Sequence, residues 1–101
     1  MELKPGVRLR SATDTTEVIV VRAPGEPVDL QCGGHPMVPA ADAPSTAPIE
    51  PGFDEGSQLG KRYEHEGSGL EVLCTKPGPG SLSVGTEPLH IKGAKPLPSS
   101  D

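Results

Sequence analysis

Apolar and polar residues alternate in the first third of the chain. In the segment GVRLRSAT, the apolar Val7 and Leu9 alternate with Arg8 and Arg10, which predicts a strand with one buried face. The next segment, DTTEVIVVRAP, has an uninterrupted β-branched run at residues 18–21 that is apolar on both faces, which predicts a central strand. A Pro-Gly turn in APGEP ends this strand.

The second half of the chain returns to short segments of the same kind. KRYEHE and LEVLCTK flank a Gly-Ser-Gly connection of hairpin type, and SLSVG and LHIKG predict two further short strands. No window of eleven residues has helical apolar spacing without a glycine or a proline. We therefore predict a small all-β domain, built as a meander, open barrel or sandwich of six to seven short strands.

The stretch between these halves, residues 39–58, has the composition of a loop. It contains four prolines, several acidic residues and no basic residue, so it cannot bury enough apolar surface to offset the entropy lost on ordering. We predict a flexible acidic Pro-rich loop within a single domain that spans residues 1–101. A lid ordered by a partner is the alternative, with Ile49 and Phe53 as its docking residues. Residues 94–101 are predicted to be a frayed tail.

Two segments of the chain resemble each other weakly. EVIVVRAPGEPVDL and EVLCTKPGPGSLSV both begin with Glu-Val and a strand, continue with a basic residue and a Pro-Gly turn, and end in a second strand. Two copies this short can arise by chance. We use the similarity only as support for the β class.

The composition provides few large apolar side chains for a hydrophobic core. The 101 residues include 13 prolines and 13 glycines, but only one tyrosine, one phenylalanine and no tryptophan, so burial depends on Val, Leu and Ile. Small chains with thin cores commonly need a metal, a disulfide or a partner subunit for stability. We therefore expect a protein partner or a homo-oligomer.

Charge and the terminal sequence exclude several classes of function. The formal net charge is −5, the basic residues are scattered and aromatic residues are nearly absent, which argues against a nucleic-acid groove. The start, MELKPGVRLR, has no signal-peptide pattern, and no stretch approaches 18 consecutive apolar residues. We expect a cytoplasmic protein without membrane contact, in a compartment where a permanent disulfide is disfavoured.

The two cysteines are the strongest candidates for chemistry. Cys32 and Cys74 each end an apolar strand face, so both thiols are predicted to point into the core and to meet at one end of the domain. The spacing Cys32-x-x-His35 across two glycines is that of a zinc knuckle. We prefer His65 to His90 as the fourth ligand, and water, Asp29 or a residue from another chain are the open alternatives. The predicted metal ligands are thus Cys32, His35, Cys74 and His65, with zinc as the metal.

Two readings of these cysteines compete with zinc. They are core residues beside a glycine turn, or they form a redox-active or disulfide-forming pair. No other motif in the sequence indicates a reaction. Whether the protein is an enzyme is left open, but the sequence argues against an enzymatic role. We predict a small intracellular accessory or interaction protein, and leave open whether a zinc site at these residues stabilises it. The alternatives are a thiol-based redox or catalytic protein that uses Cys32 and a metal-free β subunit of a larger complex.

Overall fold

The prediction of an all-β chain is confirmed. The computed structural model describes residues 3–41 and 47–92, and within these ranges it contains ten strands and no helix. Six strands have three residues or more and four have two; the predicted strands correspond to the six longer ones and, in LHIKG, to one of the two-residue strands. The strands are β1 Arg8–Arg10, β2 Glu17–Arg22, β3 Leu30–Cys32, β4 His35–Pro36, β5 Val38–Pro39, β6 Arg62–His65, β7 Leu70–Lys76, β8 Leu82–Val84, β9 Glu87–Pro88 and β10 His90–Ile91.

These strands form two antiparallel sheets. The larger sheet has the order β10-β6-β7-β2-β1-β5, and the smaller has the order β4-β3-β8-β9. Neither sheet closes into a barrel, since each ends in two-residue edge strands. The core lies between the sheets, because buried residues of the larger sheet such as Leu9 and Val72 share one cluster with Leu30 and Leu82 of the smaller.

The two halves of the chain repeat the same five strands about a pseudo-twofold axis. Strands β1–β5 correspond in order to β6–β10. If every strand is exchanged for its equivalent, the order of strands in each sheet is simply reversed. The axis passes between β2 and β7, where Val18 pairs with Cys74 and Val72 pairs with Val20. These two pairs exchange under the twofold rotation, because Val18 is equivalent to Val72 and Val20 to Cys74.

The repeat also explains the Cys-x-x-His spacing. The segments LQCGGHPM and LSVGTEPL occupy equivalent hairpins, β3–β4 and β8–β9. Gly33 and Gly85 open the two turns with φ values of 68° and 58°, and Gly34 follows Gly33 with a φ of 85°. Positive φ at both central residues is the geometry of a two-residue hairpin turn of type I′. The spacing between Cys32 and His35 is therefore that of a β-turn.

Loops of one half contact loops of the other. The amide of Gly80, between β7 and β8, donates a short hydrogen bond to the Asp14 carboxylate, between β1 and β2. At the equivalent place, the amide of Gly25 donates to the carbonyl oxygen of Ser68 at 2.8 Å. Each half therefore depends on the other for its loop contacts as well as for its central strands.

The predicted loop at residues 39–58 is joined to the domain by backbone hydrogen bonds. The amide of Glu50 donates to the carbonyl oxygen of Gly33 at 2.9 Å, and the amide of Ser81 donates to that of Phe53 at 2.8 Å. Residues 47–58 form no strand apart from one bridge, between Ser57 and Gly78. Residues 42–46 and the predicted tail at residues 94–101 lie outside the described residues, and the flexibility of both segments stays a prediction.

Candidate functional site

Both cysteine thiols face the core at the end of the molecule where Asp14 lies. Cys32 is fully buried and Cys74 is 1% exposed. The Cys32 thiol donates to the Asp14 carboxylate at 3.9 Å, and the Cys74 thiol donates to the carbonyl oxygen of Lys76 at 3.1 Å. The charges of Asp14 and Cys74 both act on Cys32, so the two sulfur atoms belong to one electrostatic neighbourhood.

Burial keeps these thiols protonated at neutral pH. Desolvation raises the pKa of Cys32 from its ordinary 9.0 to about 11, and the hydroxyls of Ser11 and Thr16 oppose this rise only in part. Burial also raises the pKa of Cys74. Since the thiolate is the nucleophile, this environment opposes a catalytic or redox role for either cysteine.

The two histidines predicted as ligands are bound to carboxylates. Nε2 of His35 lies 3.0 Å from Oε2 of Glu50, and Nε2 of His65 lies 2.6 Å from Oε1 of Glu87. Nδ1 of His65 lies 2.8 Å from Oγ of Ser68, so both of its ring nitrogens are engaged. The structure therefore gives each imidazole a partner other than the cysteines.

Zinc at Cys32, His35, Cys74 and His65 stays a prediction. Within residues 3–41 and 47–92, no group of three or more His, Cys, Asp or Glu side chains is arranged to hold a metal ion. Metal analysis of protein purified without added zinc would show whether the protein binds zinc.

The cysteine end of the core differs from its symmetry equivalent. Three buried positions carry a hydroxyl or a thiol in one copy and an aliphatic side chain in the other, and the equivalent pairs are Thr16 and Leu70, Cys32 and Val84, and Cys74 and Val20. The Thr16 hydroxyl is fully buried, and among residues 3–41 and 47–92 no nitrogen or oxygen atom forms a hydrogen bond with it. The end of the core that contains the two cysteines is therefore more polar than its symmetry equivalent.

The raised pKa of Cys32 predicts a loss of stability in alkali. Between pH 9 and about 11 the unfolded chain releases this proton while the folded chain keeps it, so we expect the free energy of unfolding to fall by about 3 kcal/mol across that window. Below pH 9 this contribution is fully present. Urea titrations at intervals between pH 7 and 11 measure the slope, and Cys32→Ala should flatten it. Parallel profiles for the two proteins would contradict the assignment.

A recess on the described surface offers no reaction chemistry. It has a volume of about 440 Å³ and lies between the N-terminal segment and the β2–β3 loop. Its lining is mainly proline, glycine and aliphatic, with Lys4 and Glu26 as the charged members. No nucleophile with an adjacent base is among the lining residues.

A second candidate site, the outer face of the six-stranded sheet, is strongly basic. Strand alternation turns Leu9 and Val18 into the core and therefore turns Arg8 and Ile19 outward. The same rule applied to the other strands, together with the two β-bulges that bring Arg22 beside Glu71 and Lys76 beside Glu17, gives six cations and three carboxylates on this side of the sheet. They are Arg8, Arg10, Arg22, Arg62, Lys76 and Lys92, with Glu17, Glu64 and Glu71. We call this surface the basic face.

The basic face opposes the charge of the whole protein. Its six cations and three carboxylates give a net charge of +3, whereas the chain carries −5. Among the described residues, no hydrogen bond or ion pair engages the guanidinium group of Arg8 or Arg22. A positive surface on an acidic protein is a specific electrostatic feature, and it attracts anionic groups.

Four residues form a straight row across the basic face. Arg8 pairs with Ile19, Ile19 with Leu73, and Leu73 with Arg62. Ile19 and Leu73 are half-buried and equivalent under the pseudo-twofold axis, which passes between them, and Arg8 is equivalent to Arg62. The row thus has an apolar centre and a cation at each end.

Glu71 shows how the carboxylates on this face are neutralised. It is 4% exposed, because Lys92 and Arg62 cover it with ion pairs of 2.8 and 3.7 Å. The hydrogen bond from Lys92 is the main reason that the pKa of Glu71 lies below its ordinary value. Lys76 pairs with Glu17 at 3.3 Å in the same way. Glu71 and Glu17 are therefore engaged by cations of the face, while Arg8 and Arg22 point to solvent.

Comparison with known proteins identifies no family for this chain. No protein-family model matches the chain, no curated protein is significantly similar to it, and no solved structure matches it significantly. The function has to be argued from the residues themselves.

Proposed function

We propose that the chain is a non-enzymatic interaction protein of the cytoplasm that binds a protein partner through the basic face. The observation that carries this proposal is the row of Arg8, Ile19, Leu73 and Arg62, which combines exposed cations with an apolar centre. Arginine and aliphatic side chains on one surface are a composition that suits protein recognition.

The remaining surface and core support this proposal over the alternatives. Thiols with raised pKa values disfavour a redox or catalytic role for Cys32. Three carboxylates among the cations and the lack of aromatic residues disfavour nucleic acid. Nowhere in the described ranges is there a helix with the length and hydropathy needed to cross a membrane.

The edge strands of both sheets are poor binding sites for a partner, which favours the basic face. All four edge strands, β4, β5, β9 and β10, have two residues, and three of them contain a proline, at Pro36, Pro39 and Pro88. Short edges with prolines resist the addition of a further strand. A partner is therefore expected to contact side chains of the sheet rather than its backbone.

Reversing the charge at both ends of the row tests the proposal. The double variant Arg8→Glu, Arg62→Glu replaces two attractive charges with two repulsive ones, so we expect binding of the partner to fall at least about tenfold. The measurement is quantitative mass spectrometry of proteins captured by the immobilised chain, with wild type and variant compared. Captured partners should elute as salt is raised.

Lys61→Glu is the matched control for this experiment. Lys61 precedes Arg62 in the chain, is exposed, and lies outside the row, so its reversal changes the net charge without touching the apolar centre. Partners that the double variant loses should be retained by Lys61→Glu. Lys61→Glu and the single variant Arg62→Glu change the net charge by the same amount, so equal loss from these two would show that capture depends only on net charge, and the proposal would be withdrawn.

A further inference from the structure

We infer that the basic face receives an extended acidic segment with the pattern acid-x-apolar-x-acid, where the apolar residue sits on Ile19 and Leu73. This inference rests on the proposed function and names the class of partner. It assigns one carboxylate of the segment to Arg8 and the other to Arg62.

The spacing of the row sets the spacing of the segment. Arg8 and Arg62 lie on strands separated by three steps of the sheet, because β2 and β7 stand between β1 and β6. At about 4.8 Å for each step, their backbones are about 14 Å apart. In an extended chain with a rise of about 3.3 Å, residues four positions apart are separated by about 13 Å.

Side-chain alternation then places the apolar residue. Residues i, i+2 and i+4 of an extended segment point to the same side, so a central apolar residue faces the sheet together with two flanking carboxylates. Ile19 and Leu73 lie at the centre of the row and are half-buried, which leaves apolar surface for that contact. A segment lying across the strands in this way satisfies both the charged ends and the apolar centre.

Rotation about the pseudo-twofold axis superposes the row on itself with its two ends exchanged. Rotation about the axis exchanges Arg8 with Arg62 and Ile19 with Leu73. The pattern acid-x-apolar-x-acid is itself unchanged when the segment runs the other way. We therefore expect Arg8→Glu and Arg62→Glu each to weaken binding, with Arg8→Glu at least as strong in effect because Arg62 is also engaged by Glu71 at 3.7 Å; a one-ended site would respond to only one of the two variants.

The test uses two labelled peptides of identical composition. STETLTETS carries the pattern, and STTLEETTS places the two acids together, while threonine favours the extended state in both. Fluorescence anisotropy at low ionic strength measures the dissociation constants with the full-length protein. We expect the first peptide to bind at least about fivefold more tightly than the second, and Arg8→Glu with Arg62→Glu to remove that difference. Lys61→Glu should leave the ratio within about twofold.

Other outcomes would overturn the inference in distinguishable ways. Equal binding of the two peptides would exclude the spacing argument. Displacement of the first peptide by a short DNA duplex at lower concentration than by the unlabelled peptide would favour a nucleic acid. Self-association that the double variant abolishes, without peptide binding, would identify a second copy of the chain as the occupant. If neither peptide binds but partner capture still depends on Arg8 and Arg62, the partner class is wrong and the proposed function stands.

Discussion

Gly78→Ala is expected to lower the free energy of unfolding by about 3 kcal/mol, at the upper end of the usual cost of overpacking. A Cβ at this position would lie 2.3 Å from Oγ1 of Thr16 and 2.9 Å from its backbone nitrogen. Thr16 is fully buried in the contact between the two halves, so neither atom can move away without displacing the core. Urea denaturation followed by circular dichroism measures the loss.

Gly25→Ala is the matched control. Gly25 lies in the corresponding loop of the other half, where the nearest atom to an added Cβ is the carbonyl oxygen of Ser68 at 3.8 Å. Neither glycine has a positive φ, so the substitutions differ in the available space and not in backbone strain. We expect a change within about 0.5 kcal/mol for Gly25→Ala. Similar losses at both positions would contradict the packing described for Thr16.

Period-two alternation was sufficient to predict the class of the fold and its longer strands. Leu9 between two arginines gives the correct inward face of β1, and the β-branched run of β2 does lie at the centre of a sheet. Of the two-residue strands only β10, within LHIKG, was predicted, because a strand of two residues has no period of its own. They depend on hairpin turns such as Gly33–Gly34, whose positive φ values the sequence alone does not fix.

The Cys-x-x-His pattern shows a limit of spacing arguments. A zinc knuckle and a two-residue hairpin both place two residues between the positions of interest. The better signal was the similarity of LQCGGHPM to LSVGTEPL, in which Val84 and Glu87 take the places of Cys32 and His35. A repeat that keeps the glycine and the proline while changing both ligands indicates turn chemistry.

The basic face could be predicted from the sequence only in part. Alternation assigns Arg8 and Arg10 to an outer surface, and the same reasoning assigns Arg62 to one. That Arg8 and Arg62 share one face, with Ile19 and Leu73 between them, depends on the pairing of β2 with β7. This pairing joins residues more than fifty positions apart, so no local pattern encodes it.

Division of the chain between Pro44 and Ser45 is expected to give two fragments that fold only together. Strand β2 has β7 as a neighbour and β3 has β8, so each fragment alone exposes one long side of both sheets. Fragments of about 50 residues with few large apolar side chains are too small to offset that exposure. We expect heteronuclear NMR spectra typical of unfolded chains for each fragment and a dispersed, native-like spectrum for the equimolar mixture.

The same fragments test whether the axis holds the fold together. Placing Gly78→Ala in the second fragment should weaken association, because Gly78 packs on Thr16 of the first fragment. Gly25→Ala in the first fragment should leave association unchanged, since that position has room for a methyl group. A fragment that folds as a monomer would contradict the view that each half supplies the other's central strands. Association of the two halves is thus the step on which both the core and the row on the basic face depend.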